Sequence, residues 1–158
     1  MQKTFNTYSP VDGSVYVQRT YADAAKVQSA LASAQAAQGG WRSTSIPERA
    51  ALARKAITVF EQHREAIAEE ICWQMGRPIA HAGGEITGLA ERAHYMIDIA
   101  ERSLAPITLP DKPGFSRYIT REPLGTALVV APWNYPYLTA VNAVIPAIMA
   151  GNTVLLKH

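Results

Sequence analysis

Asn134 and Lys157 have the type and placing to meet an anionic or carbonyl ligand. Asn134 lies in Ala131-Pro-Trp-Asn-Tyr-Pro136, directly after the apolar run Thr126–Ala131. Pro132 and Pro136 remove two backbone donors and fix two φ angles, so the loop carrying the amide is stiff. Lys157 ends a second apolar run, Thr153–Leu156. A stiff loop offering an amide opposite a cation suits such a ligand. The competing reading is a plain crossover, with Trp133 packed in a core and Lys157 solvated. Other reactive residue types carry less. Cys72 has no nearby helix N-terminus or basic pair to activate it and reads as a small buried hydrophobe. His63 falls on a helical stripe, as a packed or locally hydrogen-bonded residue. Neither it nor His81 or His94 has a partner at metal-ligand spacing, so no metal is expected. Glu85, Glu91 and Arg92 read as solvated polar positions, with Glu85 also able to pair across helices.

The elements that must position Asn134 and Lys157 form one strand–helix–strand unit. The continuous run Thr126–Ala131 predicts a strand buried on both faces, as in a parallel sheet. A mostly apolar helix follows from about Tyr137 to Ala150. Pro146 within it leaves the Asn142 carbonyl without its helical donor and predicts a kink. Gly151-Asn152 stops the helix, since both residues tolerate the left-handed conformation of a cap. Thr153–Leu156 is the second buried strand. Such a crossover is right-handed, and ligands of open parallel sheets bind beyond the carboxyl ends of the strands. The loop of Asn134 and the pair Lys157-His158 both lie there.

Upstream, residues 4–20 read as a β-hairpin turning at Ser9-Pro-Val-Asp-Gly13. A helix over 21–38 starts near Thr20 and Asp23, stops at Gly39-Gly40, and lines Val27, Leu31 and Ala34 on one face. Ser45-Ile-Pro-Glu48 has the form of a capping box with proline in the first turn. The helix it opens carries Leu52, Ala56, Val59, Phe60, Ile67 and Ile71 as a stripe, up to the break at Gly76-Arg-Pro78. A further helix has Ile86, Leu89, Ala93, Ile97, Ala100 and Leu104 on one face, with Gly83-Gly84 near its start permitting close approach or weakening the first turns. Residues 105–114 are a proline-rich connection, and 115–121 read as a strand.

Composition narrows the function class. A chain of 158 residues can hold one domain with a real core. A net charge of +2 is too small to argue for nucleic acid or a membrane surface. No run of about 20 apolar residues appears, and Met1-Gln-Lys-Thr-Phe lacks the apolar segment of a secretory signal. A single cysteine excludes an internal disulfide framework and fits a reducing cytoplasm.

Glu122-Pro-Leu-Gly125, Ala131-Pro-Trp-Asn-Tyr-Pro136, Pro146 and Ala150-Gly-Asn-Thr-Val-Leu-Leu-Lys157 together resemble the aldehyde dehydrogenase superfamily. The motif has several parts at the family's spacing, and the resemblance covers essentially the whole chain. It implies an α/β fold: amino-terminal helices and the first crossover of a Rossmann-like parallel sheet, incomplete because the chain matches only the first third of such an enzyme. It further implies a division into hairpin (1–20), helical part (21–104), oligomerisation strand (115–121) and crossover (122–158), within the NAD(P)-binding domain and without the catalytic domain. The family oxidises an aldehyde to an acid with NAD or NADP. A cysteine thiolate attacks the carbonyl, hydride passes to the nicotinamide, and water releases the acid.

By this resemblance Asn134 donates to the oxyanion, and Lys157 reaches the adenosine ribose. The backbone of Val130, Ala131, Pro132 and Trp133 then lines the cofactor groove, together with Asn134. Tyr135, Leu138, Thr139 and Asn142 border the aldehyde channel. The family's nucleophilic cysteine lies beyond residue 158, so Cys72 is not its counterpart. Many members read Leu-Lys-Pro where this chain has Leu-Lys-His158. The resemblance implies a homodimer or homotetramer for the complete enzyme, and a chain that alone neither turns over aldehyde nor binds cofactor tightly and is prone to aggregate. The second reading is a non-catalytic scaffold or oligomerisation module descended from such an enzyme.

Overall fold

The computed structural model describes residues 3–157, so the readings of Met1, Gln2 and His158 lie outside it. The chain opens with β1 (Thr4–Tyr8) and β2 (Val15–Thr20), paired antiparallel across a turn in which Gly13 takes φ +77°. Helix α1 (Ala24–Arg42) is capped by Asp23, whose carboxylate accepts from the Lys26 amide at 2.8 Å. The stop expected at Gly39-Gly40 is not there. Neither glycine has positive φ, and the helix continues to Arg42 before Ser43 closes it. That extra turn brings Trp41 into the structure's interior side.

Helix α2 (Ile46–Gln62) has the full capping box, with the Ser45 amide donating to Glu48 and the Glu48 amide to Ser45 Oγ. Its inward face differs from the expected stripe. Arg49, Ala53 and Ile57 are buried, while Leu52, Ala56 and Val59 are exposed. The helix also ends at His63, whose ring Nδ1 lies 2.8 Å from the Val59 carbonyl; α3 (Arg64–Met75) continues as a separate helix. Gly76 at φ +77° closes α3.

After the single turn α4 (Ile79–Ala82), α5 (Gly84–Leu104) forms the centre of the core. The stripe Ile86, Leu89, Ala93, Ile97 and Ala100 is buried as its spacing predicts. It packs with Ala53 and Ile57 of α2 and with residues of the later crossover helix. Each large apolar side chain so buried contributes about 1.5–3 kcal/mol, and the alanines let the helix axes approach. The short strands β3 (Ile107–Thr108) and β4 (Tyr118–Ile119) pair antiparallel, so regular pairing within 115–121 is confined to two residues.

The crossover is β5 (Thr126–Val130), α6 (Pro136–Met149) and β6 (Thr153–Lys157). The two strands are parallel, in a register that runs from Thr126↔Thr153 to Val130↔Lys157. Val141, Ile145 and Met149 bury the inner face of α6 against α5, and Pro146 lies inside the helix without ending it. The helix closes in a Schellman motif: Gly151 N donates to Ile148 O at 3.0 Å, and Asn152 N to Ala147 O at 2.9 Å. Only Gly151 takes the left-handed conformation, at φ +85°. Asn152 works instead through its side chain. Its Oδ1 accepts from Gly125 N at 2.9 Å and its Nδ2 donates to Ala147 O at 3.2 Å, tying the start of β5 to the end of α6.

The expectation of strands buried on both faces is not met. Leu128 and Val130, which share a face by strand alternation, are 70% and 65% exposed. The sheet has two strands, and the helices α1 and α6 that lie against it leave that face bare. Among the described residues no helix is long and apolar enough to cross a membrane.

Candidate functional site

The parallel register places Val130 beside Lys157, and the Ala131 amide extends the ladder by donating to the Lys157 carbonyl at 2.8 Å. Ala131 is buried there. The loop Pro132–Tyr135 and the Lys157 side chain therefore leave the sheet at the same end, side by side. Trp133 is 73% exposed, which rules out the reading that packs it in a core. Pro132, Asn134 and Lys157 are exposed as well. Asn134 does not cap α6: the cap residue is Tyr135, and no side chain of the cap bonds the helix. Among the described residues, the Asn134 amide has no hydrogen-bond partner and Lys157 no carboxylate within ion-pair distance.

The N-terminal amides of α6 are satisfied from another helix. Glu85 Oε1 accepts from Tyr137 N and from Leu138 N, each at 3.1 Å. Its second oxygen pairs with Arg77, whose guanidinium stacks over the Tyr135 ring at 4.1 Å from the centroid. The Glu85 carboxylate is fully buried at the positive end of the helix, where its charge is favourable.

The other end of α6 is held as firmly. Arg49 donates to Met149 O at 2.6 Å and to Thr44 O at 2.9 Å, Trp41 Nε1 to Ile148 O at 3.1 Å, and Gln38 to Gly151 O at 3.3 Å. A cation at the carboxyl end of a helix matches the helix dipole. Burial pushes the Arg49 guanidinium below its ordinary value.

The four residues expected along a channel do not form one free face. Leu138 lies against Gly88 of α5, where an added Cβ would meet Leu138 Cδ1 at 2.7 Å. Asn142 donates to Leu138 O and accepts from Arg92 of α5 at 3.2 Å. Thr139 donates to Tyr135 O at 2.6 Å, and Tyr135 lies under Arg77. Trp133, Pro136 and Tyr137 instead wall an open cleft of about 640 Å³ shared with β1, β2 and α3. Burial, then Glu70 and Glu85, raises the Tyr137 hydroxyl above its ordinary value.

The model of the aldehyde dehydrogenase family matches residues 1–158. The chain belongs to that family. It is 33% identical over 159 residues to an aldehyde dehydrogenase of Paenarthrobacter nicotinovorans, covering 99% of this chain and 32% of that protein. It is 30% identical over 157 residues to the NADP(+) succinate-semialdehyde dehydrogenase of Deinococcus radiodurans, covering 99% of this chain and 33% of that protein. Its structure superposes on PnpE of Pseudomonas sp. WBC-3, solved in complex with nicotinamide adenine dinucleotide. The TM-score is 0.90 at 30% identity, over 98% of this chain and 32% of PnpE. The chain thus spans about a third of the length of the relatives it matches.

In this aldehyde dehydrogenase chain α6 is held by charges from other helices. Of the two readings of Glu85, solvated or paired across helices, the second is met: it is buried, because it precedes Ile86 and lies four residues before Leu89 on the inward face. Arg49 likewise stands four residues before Ala53 and eight before Ile57. Helical spacing is the signal that finds both: a charge in register with an apolar stripe enters the core with it.

Proposed function

We propose that this chain supplies the oxyanion-binding side and part of the cofactor groove of an NAD(P)-dependent aldehyde dehydrogenase. The observation that carries the reading is Asn134: an exposed amide without a partner among the described residues, on a stiff loop at the carboxyl ends of parallel strands. When a thiolate adds to an aldehyde, negative charge develops on the carbonyl oxygen. The Asn134 Nδ2 donates to that oxygen without competing for its proton, and Pro132 and Pro136 keep it from having to reorganise. One such donor contributes about 3–4 kcal/mol to the barrier, or 10²–10³ in rate. The nucleophile comes from outside these residues, and Cys72, partly buried in α3, is not used.

The donor set also fits the ribose end of a dinucleotide. Lys157 offers three unshared N–H groups at the strand's end, able to meet ribose hydroxyls or a 2′-phosphate. The backbone of Val130, Ala131, Pro132 and Trp133 runs beside it and would hold NAD or NADP, a reading supported by the NADP(+) relative of Deinococcus radiodurans and by the nicotinamide adenine dinucleotide complex of PnpE. When bound, the nicotinamide accepts the hydride from the aldehyde carbon. Tyr135, Leu138, Thr139 and Asn142 border the aldehyde channel by family resemblance, with Leu138 and Asn142 fixing that side of α6 on α5 rather than standing free. Phe115, Tyr118 and Ile119 are exposed beside the short β4, and that segment joins an oligomerisation sheet in a homodimer or homotetramer of the complete enzyme. The bare face at Leu128 and Val130 supports an isolated chain that is inactive and aggregates. The enzyme acts in the cytoplasm, needs no metal, and does not bind nucleic acid or membrane.

The test is Asn134→Ala in the full-length enzyme, with kcat and cofactor affinity measured together. A fall of about 10²–10³ in kcat with an unchanged cofactor Kd is expected. Full turnover would overturn the assignment.

A further inference from the structure

We infer that Glu85, with Arg77, is a positioning residue for the reaction: it sets where the Asn134 amide points. This rests on the reading of Asn134 as the oxyanion donor. With no side-chain partner among the described residues, the place of Asn134 is set by the anchors on either side of it. On the amino-terminal side these are Pro132 and the Ala131–Lys157 ladder bond. On the carboxyl-terminal side they are Glu85, gripping the amides of Tyr137 and Leu138, and Arg77, stacked on Tyr135.

Capping alone does not call for this arrangement. Helix α1 is capped by its own Asp23 and α2 by its own Ser45. At α6 the equivalent position is Tyr135, whose carbonyl takes up the Thr139 amide but whose side chain caps nothing and gives its ring to Arg77. The cap is delivered instead by a fully buried carboxylate from α5, through an ion pair whose desolvation is costly. Such a link fixes α6 to α5 in both position and rotation, which a local cap cannot do. A carboxylate accepts from two amides and a guanidinium at once. The amide of a glutamine turns an N–H₂ group toward one of these donors and loosens the grip.

The test is a double-mutant cycle in the full-length enzyme: parent, Glu85→Gln, Asn134→Ala, and both together. Glu85→Gln is expected to lower kcat by about tenfold to a hundredfold, the scale of a misplacement of about 1 Å, with the cofactor Kd unchanged. In the Asn134→Ala background it is expected to cost less than about twofold, because nothing remains to be aimed. An equal fractional loss in both backgrounds overturns the inference, since a merely structural role lowers the active fraction alike in each. No loss from Glu85→Gln, with a loss from Asn134→Ala, overturns the positioning role alone. Full activity of Asn134→Ala overturns the oxyanion reading and this inference together. Arg77→Lys, at a less buried site, repeats the cycle should Glu85→Gln not fold. It keeps the charge, loses the planar stack on Tyr135, and is expected to cost about threefold to tenfold in the parent alone. An additive loss there has the same overturning force.

Discussion

The two ends of α6 are held by opposite charges to opposite effect. At the carboxyl end the carbonyls of Ala147, Ile148, Met149 and Gly151 are all taken up. Arg49, Trp41 and Gln38 receive the carbonyls, Gly151 turns the chain, and Asn152 locks the turn to Gly125. At the amino end the backbone amides are satisfied by Glu85, but the preceding loop leaves the Asn134 amide and the Trp133 ring open to solvent. One end spends its polar groups on the fold. The other is anchored through its backbone amides and the Tyr135 ring and leaves the Asn134 donor open.

Substitutions at the two ends should separate these roles in the full-length protein. Glu85→Ala is expected to be the most destabilising, by about 3–5 kcal/mol, because it leaves the Arg77 charge in a mostly buried place without a partner. A urea midpoint close to the parent's would mean that water replaces the carboxylate and that the amino end is not locked. Arg49→Ala is expected to cost about 2–4 kcal/mol by orphaning the Met149 and Thr44 carbonyls. Its kcat per folded molecule should stay near the parent's, which Glu85→Gln should not match. Gly151→Ala is smaller, about 1–2 kcal/mol for a side chain at positive φ. The new Cβ would also stand 2.8 Å from Arg49 Nη1, so the two carboxyl-end changes should be less than additive in chemical denaturation.

The smallest effect calibrates an ordinary local cap, that of α2. Hydrogen bonds from the Ser45 side chain and backbone hold the Glu48 carboxyl below its ordinary value. A carboxyl depressed in the folded state stabilises fully above its unfolded pKa, and loses that contribution as pH falls through the folded one. The gap in thermal midpoint between parent and Glu48→Gln should therefore be open at pH 7 and close below about pH 4. A gap that does not change with pH would show that the charge is not what caps α2.

The crossover was legible because each of its parts has a local signature. The apolar runs, the paired prolines and Gly151 placed both strands, the loop and the helix within a residue or so. The capping box at Ser45 was legible for the same reason. What the sequence hid was decided at long range. Arg49 looks like a surface charge until the end of α6 that it bonds is in place, and the position of Glu85 allows a partner across helices without naming Arg77 or the first amides of α6. Leu52 and Val59 look like core, yet they are exposed, because burial depends on what packs over a helix and not on its periodicity alone. The two glycines at 39 and 40 tolerate a stop but do not impose one, and α1 passes through them to place Trp41 against α6. The family motif singled out Asn134, while the contacts that hold its loop appeared only in the fold.

The anchors of α6 have an order in time as well as in space. Gln38, Trp41, Arg49, Arg77 and Glu85 all precede Asn134 in the chain. A ribosome adding about 5–20 residues per second completes them several seconds before the loop leaves the exit tunnel. The loop of Asn134 therefore emerges after the side chains that hold α6. Its geometry is completed when β6 follows and the Lys157 carbonyl takes up the Ala131 amide.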